Sequence, residues 1–108
     1  MTEKDPKIVI AYQAILSRFG KPEGEMNVDL FVSHHKEEVD AEEWKSCLGD
    51  NNPSDQAILA CLVFKDCWDS KENGVPDTYD FTLPDDLTQY VLSVRFDGEE
   101  VESVDMES

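Results

Sequence analysis

Tyr90-Val91-Leu92-Ser93-Val94-Arg95-Phe96-Asp97-Gly98-Glu99-Glu100-Val101-Glu102-Ser103-Val104 is the stretch on which the fold turns. Tyr90, Leu92, Val94 and Phe96 stand two apart, the side-chain period of a β-strand, so they share one face. Asp97-Gly98 then reads as a two-residue hairpin turn, because both residue types tolerate positive φ. Closing the chain on that turn sets Phe96 opposite Glu99, Arg95 opposite Glu100, Val94 opposite Val101 and Val91 opposite Val104. Arg95 thereby meets a carboxylate and valines meet valines. A slip of one residue would set Arg95 against Val101 and turn the apolar set to the wrong face.

Upstream of this hairpin, Tyr79 to Leu83 reads as another strand and Pro84-Asp85-Asp86 as a turn. Asp69 to Pro76 is a polar loop holding Asn73-Gly74 and a proline. Ser54 or Asp55 suits a helix N-cap, and Ala57, Ile58, Cys61, Leu62, Phe64 and Trp68 predict one amphipathic helix of roughly four turns running to Trp68. Asp40 to Leu48 predicts a short helix with Trp44 and Leu48 on one stripe, ended by Gly49 to Pro53. Asn27 to Ser33 alternates, with Val28, Leu30 and Val32 on one side, and predicts a strand that Phe31 interrupts on its polar face. Lys21 to Gly24 is a turn. From Asp5 to Phe19, Ile8, Tyr12, Ile15, Leu16 and Phe19 recur at helical spacing, in competition with a short strand over Lys7 to Ile10. The sum is an α+β domain spanning 1–108: an antiparallel sheet of three to four strands with two to three helices on one face.

At 108 residues the chain has the usual size of one domain with its own core. Hydrophobic residues at 40% are too many for a disordered tail, and no run approaches the roughly 20 apolar residues of a membrane-spanning helix. Nine Lys and Arg against 25 Asp and Glu give a net charge of −16, which repels nucleic-acid phosphate and anionic membranes. Neither nucleic acid nor membrane is an expected partner. Met1 to Pro6 carries two acids and a proline where an export signal places basic residues and an apolar run, so the expected location is cytoplasmic. Three cysteines, Cys47, Cys61 and Cys67, are odd in number and few, which predicts free thiols rather than a disulfide framework.

The negative charge is concentrated late. Residues 1–65 hold 12 acids and 7 bases, whereas residues 66–108 hold 13 acids and only Lys71 and Arg95. In the expected meander many of these acids fall on turns and on the strand side facing away from the helices, where alternate residues stand about 6.5 Å apart. Asp80, Asp85, Asp86, Asp97, Glu99, Glu100, Glu102 and Asp105 are the candidate partner-binding carboxylates, with Phe31 and Tyr79 as candidate apolar anchors. Carboxylates so arranged substitute for phosphate oxygens facing the Arg and Lys of a basic protein. The competing reading is that acidity keeps the protein dissolved and discourages pairing of sheet edges.

Motifs for chemistry are lacking. Asp69, Gly74 and Asp80 have the spacing of a calcium loop, but Lys71 occupies a position that requires an oxygen ligand. His34-His35 are neighbours that a strand would point to opposite faces, so they predict no shared metal, and no cofactor is expected. No nucleophile elbow and no phosphate-cradling glycine loop occurs, so a non-enzymatic protein is expected.

Tyr79-Asp80-Phe81-Thr82-Leu83, Asp86-Leu87-Thr88, Tyr90 to Asp97 and the final Met106-Glu107-Ser108 resemble the closing strands of a small acidic bacterial family, domain-of-unknown-function 2004. The resemblance covers mainly residues 79–108 and rests on strand and turn residues, so it bears on fold and carries over no catalytic residue. By analogy with small acidic bacterial proteins, it implies an immunity protein or inhibitor that neutralises a basic partner such as a toxin nuclease. The alternative is a cytoplasmic housekeeping or small-ligand-binding protein whose acidity only solubilises it.

Overall fold

The computed structural model describes residues 6–107. The expected helix start at Asp5, the Met1 to Asp5 part of the export reading and Ser108 lie outside the described residues. Helix α1 spans Pro6–Arg18, and a 3-10 turn Pro22–Gly24 follows. Three more helices come next, α2 (Val28–Glu38), α3 (Ala41–Leu48) and α4 (Asp55–Ala60), and then strands β1 (Val63–Trp68), β2 (Thr78–Thr82), β3 (Val91–Asp97) and β4 (Glu100–Glu107). The strands form one antiparallel sheet in the order β1-β2-β3-β4. The α+β class and the four-stranded antiparallel sheet are those expected from the sequence.

Two segments exchange roles relative to the sequence reading. Asn27 to Ser33 is helical: Val28, Phe31, Val32 and His35 are all buried and recur at i, i+3, i+4 and i+7, while Leu30 is 43% exposed. The alternation of Val28, Leu30 and Val32 is a coincidental subset of this longer helical period. Asn27 caps the helix, its side chain accepting from the Val28 N–H and its carbonyl from the Phe31 N–H. Conversely, the helix that Ser54 caps through the Ala57 N–H is short. It stops at Ala60, and Val63 to Trp68 extend into β1 instead of continuing to Trp68 as a helix. β-branched and aromatic residues suit a pleated surface, and pairing with β2 gives their backbone a ladder that an isolated helix end lacks.

The hairpin also closes differently from the expected register. Asp97 pairs with Glu100, leaving Gly98 and Glu99 as the loop, and Phe96 sits opposite Val101. Gly98 takes φ +66° at the first loop position, the placement a type II′ turn favours, and Asp97 stays in the strand. Beyond Phe96 the ladder skips Glu102, so Arg95 faces Ser103, Val94 faces Val104 and Leu92 faces Met106. This bulge is what lets Val101 and Val104, an odd spacing apart, both join the core face.

The helices cover the face carrying Tyr79, Phe81, Leu92, Val94, Phe96 and Val104, which joins Ala11, Ile15, Phe31, Trp44 and Ile58 in one buried cluster. Tyr12 reaches from α1 to both neighbours: its hydroxyl donates to the Leu59 carbonyl at 2.8 Å and its ring lies 6.1 Å from Phe81. Gly24 is buried where a Cβ would overlap the Arg18 carbonyl, so only glycine lets the 3-10 turn close against α1.

Candidate interaction surface

Alternation along the strands leaves the sheet face away from the helices to the other residue set. Pairing across the four strands aligns Asp66, Asp80, Ser93 and Asp105 in one row, with neighbouring strands about 4.8 Å apart. Three of the four are carboxylates. Asp80 is held rigidly at the centre of the row. Its two oxygens accept from the Ser93 hydroxyl at 2.6 Å and from the Trp68 indole N–H at 3.3 Å. Trp68 itself is 45% exposed. The next row holds Trp68, Thr78, Arg95 and Ser103. Arg95 forms no ion pair with these carboxylates, and its Nε is buried without an acceptor among the described residues.

The expected site residues divide among four places. Asp80 and Asp105 belong to the central row. Asp97, Glu99 and Glu100 sit around the β3–β4 turn, and Glu102 is the exposed residue of the bulge. Asp85 and Asp86 lie at the opposite end of the sheet, in the β2–β3 connection, both exposed and both at positive φ. Phe31 and Tyr79 are corrected: Phe31 is fully buried and Tyr79 is 2% exposed in the core, so neither stands at the surface as an anchor. Asp66 and Trp68 are the surface residues that the sequence reading missed, because it placed both on a helix. The aromatic and β-branched content of Val63 to Trp68 is the signal that points to them.

Among the described residues only two ion pairs form, Lys36 with Asp55 at 2.9 Å and Lys71 with Asp97 at 3.9 Å, all four side chains substantially exposed. Asp77 is spent structurally. Its carboxylate accepts from the Ser70 N–H, the Ser70 hydroxyl and the Thr78 hydroxyl, and these hydrogen bonds hold it below the usual carboxylate range. Asp69 likewise accepts from the Lys71 and Gly74 N–H groups within the same loop. No group of three or more His, Cys, Asp or Glu among the described residues is placed to hold a metal ion.

Among the described residues the cysteines form no disulfide, and none of them is fully exposed. Burial pushes the Cys61 thiol up to about 11, and burial together with the neighbouring Asp85 raises Cys47, so both disfavour the reactive thiolate.

On the helix side, a cleft of about 460 Å³ opens between α2, α3 and the β2–β3 connection. His34, Glu38, Glu43, Asp86 and Tyr90 line it, with His35 at its floor. The His34 and Tyr90 rings meet edge to face at 5.0 Å. No helix among the described residues is long and apolar enough to cross a membrane. The chain matches no family model, no curated protein and no solved structure.

Proposed function

We propose that this protein is a non-enzymatic binding protein whose acidic sheet face docks on a basic protein, most concretely as a cytoplasmic immunity protein or inhibitor of a toxin such as a nuclease. The observation that carries this reading is the row of Asp66, Asp80 and Asp105 across the outer face, left without a neutralising cation among the described residues although Arg95 stands in the adjacent row. Like charges in cross-strand neighbours oppose folding. A cationic partner relieves that repulsion, so part of its binding energy comes from strain already built into the free protein. Trp68 supplies an exposed aromatic face beside the row, suited to the guanidinium or ammonium group of the partner. The resemblance of residues 79–108 to the small acidic bacterial family leads in the same direction, by analogy only.

The test uses the basic protein captured from cells of the source organism at low salt, identified, and assayed for its own activity. An equimolar amount of wild-type protein is expected to suppress that activity. Affinity should fall by at least about tenfold between roughly 0.05 and 0.5 M salt. The exposed-site variant D66K/D105K should retain its fold by circular dichroism and lose the suppression. Equal suppression by wild type and variant, or no suppression by either, would overturn the proposal and leave the charge as a solubilising coat.

A further inference from the structure

Among the described residues, His35 is the one buried ionisable base whose whole hydrogen-bonding capacity is used inside the protein. It is 1% exposed, with Nδ1 2.7 Å from the Phe31 carbonyl and Nε2 2.8 Å from the Thr88 hydroxyl. A carbonyl only accepts, so Nδ1 carries the proton and Nε2 must accept from the Thr88 O–H. The same Thr88 oxygen accepts the Tyr90 N–H at 3.1 Å. A directed chain therefore runs from the Tyr90 amide through Thr88 and His35 to the carbonyl of Phe31. It fastens the β2–β3 connection to α2, and it runs in this direction only while the imidazole is neutral.

We infer that this chain is an acid-sensitive latch: protonation of His35 releases the connection 84–90 from α2 and opens the adjoining cleft. A second proton on the ring turns Nε2 into a donor, so the Thr88 hydroxyl must turn its own proton away and lose the ring nitrogen as its acceptor. The charged ring would also be sealed from water with no carboxylate in ion-pair contact among the described residues. The charged groups facing it all lie in the cleft: His34 and Glu38 from α2, Glu43 from α3, and Asp86 from the connection. The three carboxylates stabilise an imidazolium that swings outward, and the neighbouring His34 opposes it. Outward rotation requires Thr88 and Tyr90 to give way. Asp85 and Asp86, held at φ +57° and +53°, make the connection a segment that gains from relaxation once untied. Burial, the dominant influence, and His34 lower the His35 pKa, against the Phe31 hydrogen bond and Glu38, which raise it. A folded-state pKa depressed below the unfolded value means that the latch is fully closed above about pH 6.5 and is lost as the pH falls through the folded value.

Amide hydrogen exchange at pH 7.5 and pH 5.5, expressed as protection factors, tests the inference. Protection over 84–90 should fall by several-fold, up to about tenfold, at the lower pH, the change that one proton binding across a pH unit can drive, while β3 and β4 stay protected. In T88V the connection should be equally unprotected at both pH values, since the tie is gone without any titration. In H35Q the pH dependence over 84–90 should vanish. Ring carbon and nitrogen chemical shifts give the tautomer directly, so the inference does not hang on either variant folding. A His35 that titrates with 84–90 still protected, a proton found on Nε2 at neutral pH, or loss of protection over all strands together would each overturn it.

Discussion

Trp44 shows how a single residue can stabilise and destabilise at once. Its ring is 2% exposed among core residues, yet its indole N–H has no acceptor among the described residues. An unpaired buried donor costs about 1–3 kcal/mol, set against the large apolar area that the ring removes from water. Trp44→Phe, which deletes the donor and keeps most of the volume, should therefore leave unfolding free energy within about 1 kcal/mol of wild type, whereas Trp44→Ala should cost about 3–5 kcal/mol. Urea titration followed by circular dichroism measures both. Trp44 as a core residue was legible from its spacing to Leu48. The burial of Phe31 and Tyr79 was not, because composition gives the polarity of a residue and not the face onto which the fold turns it. His35 was misread for a related reason: as a strand neighbour of His34 it has no special place, and only on a helix does it fall in register with Val28, Phe31 and Val32.

At the scale of elements, the errors in reading trace to competition between two periods. Val28, Leu30 and Val32 satisfy the strand period locally, and Phe31 with His35 tips the balance only when the window is widened to eleven residues of helix. Cys61 to Trp68 satisfies the helical period, but no glycine or proline announces the stop at Ala60, so the change to β1 is dictated by the ladder with β2. The α+β class is the same because one expected strand is a helix, α2, while the second half of one expected helix is a strand, β1. In the hairpin the strands were legible and the pairing was not, because Gly98 competes with Asp97 for the first loop position. The bulge at Glu102 yields an expected outcome at this scale. Deleting Glu102 leaves Val101 and Val104 two residues apart, which restores simple alternation, so this variant should fold with stability within about 1 kcal/mol of wild type. Deleting Asp105 sets Met106 next to Val104 and turns it outward, which should cost about 1.5–3 kcal/mol in lost burial. Thermal melts of the two variants, side by side, distinguish these cases.

For the molecule as a whole, a net charge of −16 with two exposed ion pairs among the described residues means that the folded state works against its own field. Added salt should therefore stabilise the protein in the absence of any partner. Between about 0.02 and 0.5 M sodium chloride the midpoint of thermal unfolding should rise by roughly 4–8 °C, the shift that about 1 kcal/mol produces in a domain of about this size. A flat midpoint in differential scanning calorimetry would mean that the carboxylates are far enough apart to ignore one another, which would also weaken the case for a surface awaiting a cation.

The sheet's two irregular positions have a further consequence. Both lie on outermost strands, Lys65 in β1 and Glu102 in β4, and each inserts a charged, exposed residue where the ladder skips. The inner pair β2–β3 runs without interruption. A sheet whose margins are kinked and charged while its centre is regular offers no flat template for another chain to copy. The molecule can thus remain at high concentration without seeding fibres from its own rims.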